Sequence, residues 1–316
     1  MKRLLFNAFA LTILSATLFF GCTSRTTVKN PSYSFTDDLG RQVSITSFER
    51  TAALLGSFAD VWVLSGGGPN LCATADDAWD DFGLGEQIPN AANLGATKNL
   101  SLEILLASKP HFVIASTNTK QHLDWLPTLE AANITVAFFD VSDFDDYLRM
   151  LKICTDITSR PDLYEKNGLD VKKTVDSAIE QSKNAQYHKN SPKVLFLRAS
   201  AASVRAKNSH DNVLGEMLAD LGCINIADSD SSLLETLSVE SIIAQNPQHI
   251  FVVQVGDNAE ATKKSIKDLF DENPAWQKLD AVKNGRVHFM DKRLYNLKPN
   301  SLWGQAYEQL EKILEQ

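Results

Sequence analysis

Three cationic side chains, Arg198, Arg205 and Lys207, crowd into one short stretch of a chain whose formal net charge is −8, and His210 follows close behind. Guanidinium and ammonium groups gathered in this way supply charge-assisted hydrogen bonds to a carboxylate, a phosphate or a catecholate. A second stretch, Arg293-Leu294-Tyr295-Asn296-Leu297-Lys298, adds Tyr295 and Lys298, with Trp303 soon after. A third, Ala75-Asp76-Asp77-Ala78-Trp79, brings Asp77 beside Trp79. The rings of Trp79, Tyr295 and Trp303 suit stacking on a flat, conjugated ligand. This is the chemistry of holding, not of transformation. No nucleophile–base pair, G-x-S-x-G turn or cysteine cluster is present, so no catalytic residue is assigned.

Metal and redox chemistry find little support. His111, His122, His188, His210, His249 and His288 show no ligand spacing, and no convergent set of His and carboxylate can be assembled for a bare metal. A haem ligand would come from His210, Tyr295 or His122. His111 and His249 stand beside strand starts, where a structural role fits better. Apart from Cys22, the cysteines are Cys72, Cys154 and Cys223, an odd, scattered trio that reads as buried thiols.

These residues must be held by something, and a repeat shows what. Leu100-Ser101-Leu102-Glu103-Ile104-Leu105-Leu106-Ala107-Ser108-Lys109-Pro110 recurs as Leu237-Ser238-Val239-Glu240-Ser241-Ile242-Ile243-Ala244-Gln245-Asn246-Pro247. Each copy is a short helix stopped by proline and followed by an apolar strand, over residues 112–115 and 250–253. Further strands are expected over residues 71–74, 135–139, 193–197 and 286–290. Gly66-Gly67-Gly68-Pro69 lacks the spacing of a phosphate loop and is read as a turn. Strands alternating with helices imply an α/β fold of two similar lobes with mostly parallel sheets. Residues 159–190 read as one long helix of about 28 residues, ~42 Å at 1.5 Å per residue, capped by Ser159 and weakened at Gly168. It joins the lobes as a stiff strut. The three binding stretches follow strands, where open α/β sheets place their ligands, so they are expected to line a cleft between the lobes.

The chain closely resembles the substrate-binding proteins of ABC importers that have a single long interdomain helix, the group carrying iron–siderophores, haem and cobalamin. The resemblance is carried by Asp38-Leu39-Gly40-Arg41-Gln42-Val43 and by residues 99–114, 151–164, 220–226, 238–251 and 285–290. It implies a bilobal monomer that closes modestly on its cargo and docks on a permease dimer with its ATPase. It also implies that Glu103 and Glu240, one per lobe, meet basic pockets on the permease. Taken singly, each glutamate is equally a first-turn residue favoured by the helix dipole. A ferric siderophore is the cargo expected first, haem second and cobalamin third; the protein itself needs no cofactor.

The N-terminus sets the compartment. Lys2 and Arg3, an apolar run over residues 4–20, then Gly21-Cys22 and a polar stretch have the layout of a secretory leader. Gly21-Cys22 resembles a lipobox whose cysteine is acylated, with Phe19 where that pattern has Leu. The expected organisation is a leader over 1–21, a lipidated tether over 22–34, a first lobe over 35–157, the helix over 158–190 and a second lobe over 191–316. The body then lies outside the cytoplasm, held to a membrane through Cys22. Without Lys2 and Arg3 the net charge becomes −10, which speaks against nucleic acid. The rival readings are a sensor or adhesin on the same fold and, more remotely, a chelatase-like enzyme.

Overall fold

Short apolar runs bounded by turn residues become buried strands here, as their composition dictates. The computed structural model describes residues 33–316, apart from Asp211 and Asp257. The leader and Cys22 lie outside the described residues. β1 (Tyr33–Thr36) and β2 (Gln42–Ile45) form an antiparallel hairpin, so the segment expected as tether up to residue 34 is already strand at Tyr33.

The first sheet holds β3 (Thr51–Ala53), β4 (Leu71–Thr74), β5 (Ala92–Asn93), β6 (Phe112–Ser116) and β7 (Thr135–Phe139). All pair in parallel, in the order β5-β4-β3-β6-β7. The second contains β8 (Lys193–Ala199), β9 (Val204–Lys207), β10 (Ile224–Asn225), β11 (His249–Gln254) and β12 (Val287–Met290). Its order is β10-β8-β11-β12, parallel throughout, with β9 antiparallel on β8. In both sheets the order spreads outward in two directions from the first strand. Such switch points leave a crevice beyond the carboxyl ends of the strands.

The two repeats fold alike. Ser101 Oγ accepts from Ile104 N at 3.2 Å and Ser238 Oγ from Ser241 N at 3.3 Å, capping the Leu102–Ala107 and Val239–Gln245 helices. Both helices end in a left-handed residue before the proline, Lys109 at φ 48° and Asn246 at φ 46°. Glu103 and Glu240 stand in the first turns, exposed.

The strut differs from the single regular helix expected over residues 159–190. Ser159 does not cap it: at φ 57° it ends the preceding Phe144–Ile157 segment, and Arg160 takes the cap position without a side-chain bond. The rod runs through Pro161–Tyr164, a π turn at Glu165–Leu169, and Asp170–Asn184. It breaks at Ala185, whose ψ of 149° is extended, so it is shorter than expected. Gly168 lies against Leu151, where an added Cβ would come within 3.2 Å of Leu151 Cδ2. Asn167 Nδ2 donates to Leu64 O at 2.8 Å and Tyr147 Oη donates to Asn167 O at 2.7 Å. These contacts tie the rod to the first sheet's helices. Farther along, the Trp303–Leu314 helix packs on it, with Gly304 close to Thr174.

Three apolar clusters fill the described residues. One outer cluster, around Leu54, Val113 and Phe138, belongs to the first sheet. Another, around Leu197, Ile250 and Trp276, belongs to the second. The inner cluster is shared, running from Phe58, Phe112 and Phe139 through Tyr147, Val175 and Trp303 to Phe196 and Phe251. Each sheet therefore has its own outer core while their inner faces are fused, and the described residues form one compact unit. Cys72, Cys154 and Cys223 are free and buried. Among the described residues no helix is long and apolar enough to cross a membrane.

Candidate functional site

A cleft of about 610 Å³ opens where the carboxyl ends of β6, β7 and β8 converge. Asn118, Asp140 and Ser142 line it from the first sheet. Phe196, Arg198, Asn212, Tyr295, Asn296 and Lys298 line it from the second. Its polar groups outnumber what its few rings can cover, so it suits a charged, hydrogen-bonding ligand.

Strand alternation places the cations. Phe196 and Arg198 share one face of β8, and across the antiparallel pair they meet Lys207 and Arg205 respectively. Directly opposed residues on paired strands point to the same side. The three basic residues thus occupy one face of the sheet's end, Arg198 half-buried in the cleft, Arg205 exposed and Lys207 between. Arg198 Nε is buried without a hydrogen-bond partner, and burial lowers the group's pKa. Lys298 is also lowered, first by burial and then by Arg198, against the raising influence of Asp140, Asp146 and Asp143. Neither Arg198 nor Lys298 forms an ion pair among the described residues. For both cations the cost of burial exceeds what nearby charges restore, and an anionic ligand would add to that restoring charge.

The loop carrying Lys298 is pinned from the other lobe. Arg293 Nη1 donates to Lys298 O at 2.6 Å and Pro299 O at 3.2 Å, while Nη2 reaches Asp60 Oδ2 at 3.0 Å. Asn300 Nδ2 donates to Ser57 O at 2.9 Å and Asp60 Oδ2 at 2.8 Å. Asn300 sits at φ 57°, a conformation asparagine tolerates better than most residues. Arg293 also covers the Phe82 ring at 4.2 Å, and Lys292 pairs with Asp81 at 2.9 Å.

Several expected contacts lie elsewhere. Trp303 is fully buried, packed on Phe144 and Tyr307 in the inner core, so its ring offers the ligand nothing. Asp77 accepts the Gly56 amide at 2.8 Å and so holds the start of the Gly56–Leu64 helix; burial pushes its pKa up to about 6. Trp79 is half-buried near Gly85 and is not among the residues lining the cleft. His210 is exposed, 3.7 Å from Glu216. Tyr295 does line the cleft, but it is 3% exposed and its hydroxyl donates to Ala306 O at 2.9 Å, with its pKa raised by burial. His122 is fully buried, its Nδ1 accepting from Ser116 N. The three candidate haem ligands therefore do not converge on the cleft. Of the nine expected ligand contacts, Arg198, Tyr295 and Lys298 are at its wall.

Asn118, Asp140, Ser142 and Asn212 went unassigned in the sequence, and Asn296 was included only as part of the stretch through Lys298. The signal for the first three was available, because β6 and β7 are flagged by their apolar runs and the residues just past them obey the same carboxyl-end rule. Asn212 is a helix cap, its Oδ1 accepting from Gly215 N at 2.8 Å.

Comparison with known proteins bears on this geometry. The chain is 24% identical over 208 residues to the Fe(3+)-citrate-binding protein YfmC of Bacillus subtilis (strain 168), a match covering 63% of this chain and 59% of that relative. Among solved structures, the periplasmic heme-binding protein RhuT of Roseiflexus sp. RS-1 superposes with a TM-score of 0.68 at 21% identity, covering 85% of this chain and 98% of the other. Staphylococcus aureus SirA complexed with staphyloferrin B gives 0.67 at 20% identity, covering 89% and 98%. At such identities the structures speak for the fold alone, a bilobal α/β body. The description "Periplasmic binding protein" matches residues 52–294, from within β3 to the short helix past β12, and on that span the chain belongs to the periplasmic binding protein family.

Proposed function

We propose that this chain is the extracytoplasmic solute-binding component of an ABC importer, and that its cargo is an anionic iron chelate, a ferric siderophore before haem or cobalamin. One observation carries the reading of the ligand: Arg198 and Lys298 face a cleft of about 610 Å³ with no carboxylate paired to either among the described residues. Cations without an ion-pair partner at a half-buried site are costly to desolvate unless a ligand neutralises them. An iron–carboxylate or iron–catecholate complex does so with charge-assisted hydrogen bonds. The ligands named for the relatives, ferric citrate and staphyloferrin B, are consistent with that chemistry.

Delivery follows from the exposed pair Glu103 and Glu240, one beside each sheet, as two anchors for a permease dimer. Single surface charges contribute little, but two separated ones give orientation. Anchoring through an acylated Cys22 completes the proposal. The test is a thermal-shift screen of the mature body with ferric siderophores, haemin and cobalamin, followed by titration calorimetry. A bound ligand raises the melting temperature by mass action. A rise with a ferric chelate supports the reading; a rise with haemin or cobalamin alone replaces it.

A further inference from the structure

The cleft is bipolar. Its two cations, Arg198 and Lys298, both stand on the wall of the second sheet, while the opposite wall presents the carboxylate of Asp140. That carboxylate is fixed in place. Its Oδ1 accepts from Asn118 Nδ2 at 2.7 Å and Ser142 Oγ at 3.3 Å, and its backbone N donates to Asp38 Oδ2 at 2.6 Å. Arg149 Nη2 donates to its carbonyl at 3.1 Å. The other oxygen, Oδ2, accepts no hydrogen bond among the described residues, and Asp140 makes no ion pair there, though its charge acts on Lys298 across the cleft. A fixed negative charge would repel a cargo that is anionic all round. It selects one that turns a hydrogen-bond donor toward it, because an acceptor-only carboxylate needs a donor opposite.

If the cleft holds a ferric chelate as proposed above, we infer that Asp140 sets its specificity: the cargo carries carboxylates on the face toward Arg198 and Lys298 and an ammonium group on the face toward Asp140. Lone ferric citrate, which has no such donor, then fills only half of the recognition. The chelate also has one orientation in the cleft, its donor end against β7 and its acid end against β8.

A matched pair of probes isolates the donor: the ferric complex of the citrate monoamide of ethylenediamine, with its free ammonium, and the same complex N-acetylated. The wild-type protein is expected to bind the free amine about tenfold or more tightly over the acetylated form, the size of one charge-assisted hydrogen bond. In Asp140→Asn that preference disappears, while an unchanged circular dichroism spectrum and cooperative thermal unfolding show the variant folded. Three results overturn the inference. One is an unchanged preference in Asp140→Asn. Another is an equal gain for every chelate, which would make Asp140 a counter-charge to the cations only. The third is loss of all binding, including ferric citrate, which would make it a structural buttress. Failure of the wild-type protein to bind any ferric chelate is a different outcome: it removes the proposed function first, and this inference with it.

Discussion

Asp60 Oδ2 and Arg293 Nη2 lie 3.0 Å apart across the two lobes, joining the helix after β3 to the short Lys292–Tyr295 helix after β12. Asp60 is 8% exposed, and the same oxygen also receives Asn300 Nδ2. Burial raises its pKa while Asn300 and Arg293 hold it down. The pair thus fixes the loop that carries Lys298 to the far side of the cleft. Breaking one partner of a buried pair leaves the other charge stranded, at about 3–5 kcal/mol. Asp60→Ala should cost about 3 kcal/mol in urea unfolding and weaken chelate binding, whereas Asp60→Ala with Arg293→Leu should cost less than the single change. A single-variant loss under about 1 kcal/mol would make the bridge incidental.

The two cleft cations trade stability for affinity. Arg198→Ala and Lys298→Ala should each weaken an anionic chelate by about 1.5–3 kcal/mol per charged hydrogen bond lost, read by calorimetry. Lys298→Met should at the same time raise the melting temperature of the ligand-free protein, since an unpaired, half-buried ammonium disappears. Unaltered affinity in both alanine variants would take these residues out of the site.

Acid should loosen the second lobe through His249. Its Nδ1 lies 3.1 Å from His288 Nε2, the rings stack at 5.3 Å, and Arg286 adds positive charge nearby. Burial, then His288 and Arg286, pull its pKa down to about 4. The folded state therefore takes up its proton later than the unfolded chain does. No penalty exists above about 6.5, and stability is lost as pH falls from there toward about 4. Asp77, pushed up to about 6, acts in the opposite sense over part of that range. The measurement is accordingly a difference: His249→Phe should lose less stability than the wild type between pH 7.5 and 4.5 in urea unfolding. Parallel curves would refute it.

Glu103→Ala with Glu240→Ala should abolish uptake in cells while the dissociation constant of the chelate stays within about twofold. The loss of stability should be small, about 0.3–1 kcal/mol for each first-turn charge. If affinity falls instead, the two glutamates serve the cleft and not a permease.

Cys22→Ala should move the protein from the membrane fraction to the soluble fraction after cell breakage. Retention in the membrane would exclude lipid anchoring through that residue.

What could be read in advance was local. Apolar runs gave β4, β7 and the repeated helix–proline–strand unit, because strand burial and capping follow from a few neighbouring residues. The serines that cap both copies, Ser101 and Ser238, are visible in the repeat itself. The clamp was not visible, since Arg293 and Asp60 are separated by 233 residues and no short-range pattern pairs them. Trp303 misled for a related reason. It follows a strand, as a ligand contact should, yet it opens the helix that packs on the strut, where the only space for an indole is the inner core. Asp77 was recognised as a carboxylate near a strand end, but its partner is a backbone amide 21 residues earlier.

The π turn at Glu165–Leu169 inserts one residue into a turn of the rod, and each residue advances an α-helix by about 100°. Within it Asn167 and Gly168 meet Leu64 and Leu151; behind it Val175, Ala178 and Ser182 are buried on the stretch that packs on the Trp303–Leu314 helix. The bulge is a phase adapter, letting one continuous rod satisfy two packing surfaces that a regular helix would present out of step. Deleting a single residue there would rotate every downstream side chain off its seat, so the spacing between the lobes is encoded in azimuth as much as in length.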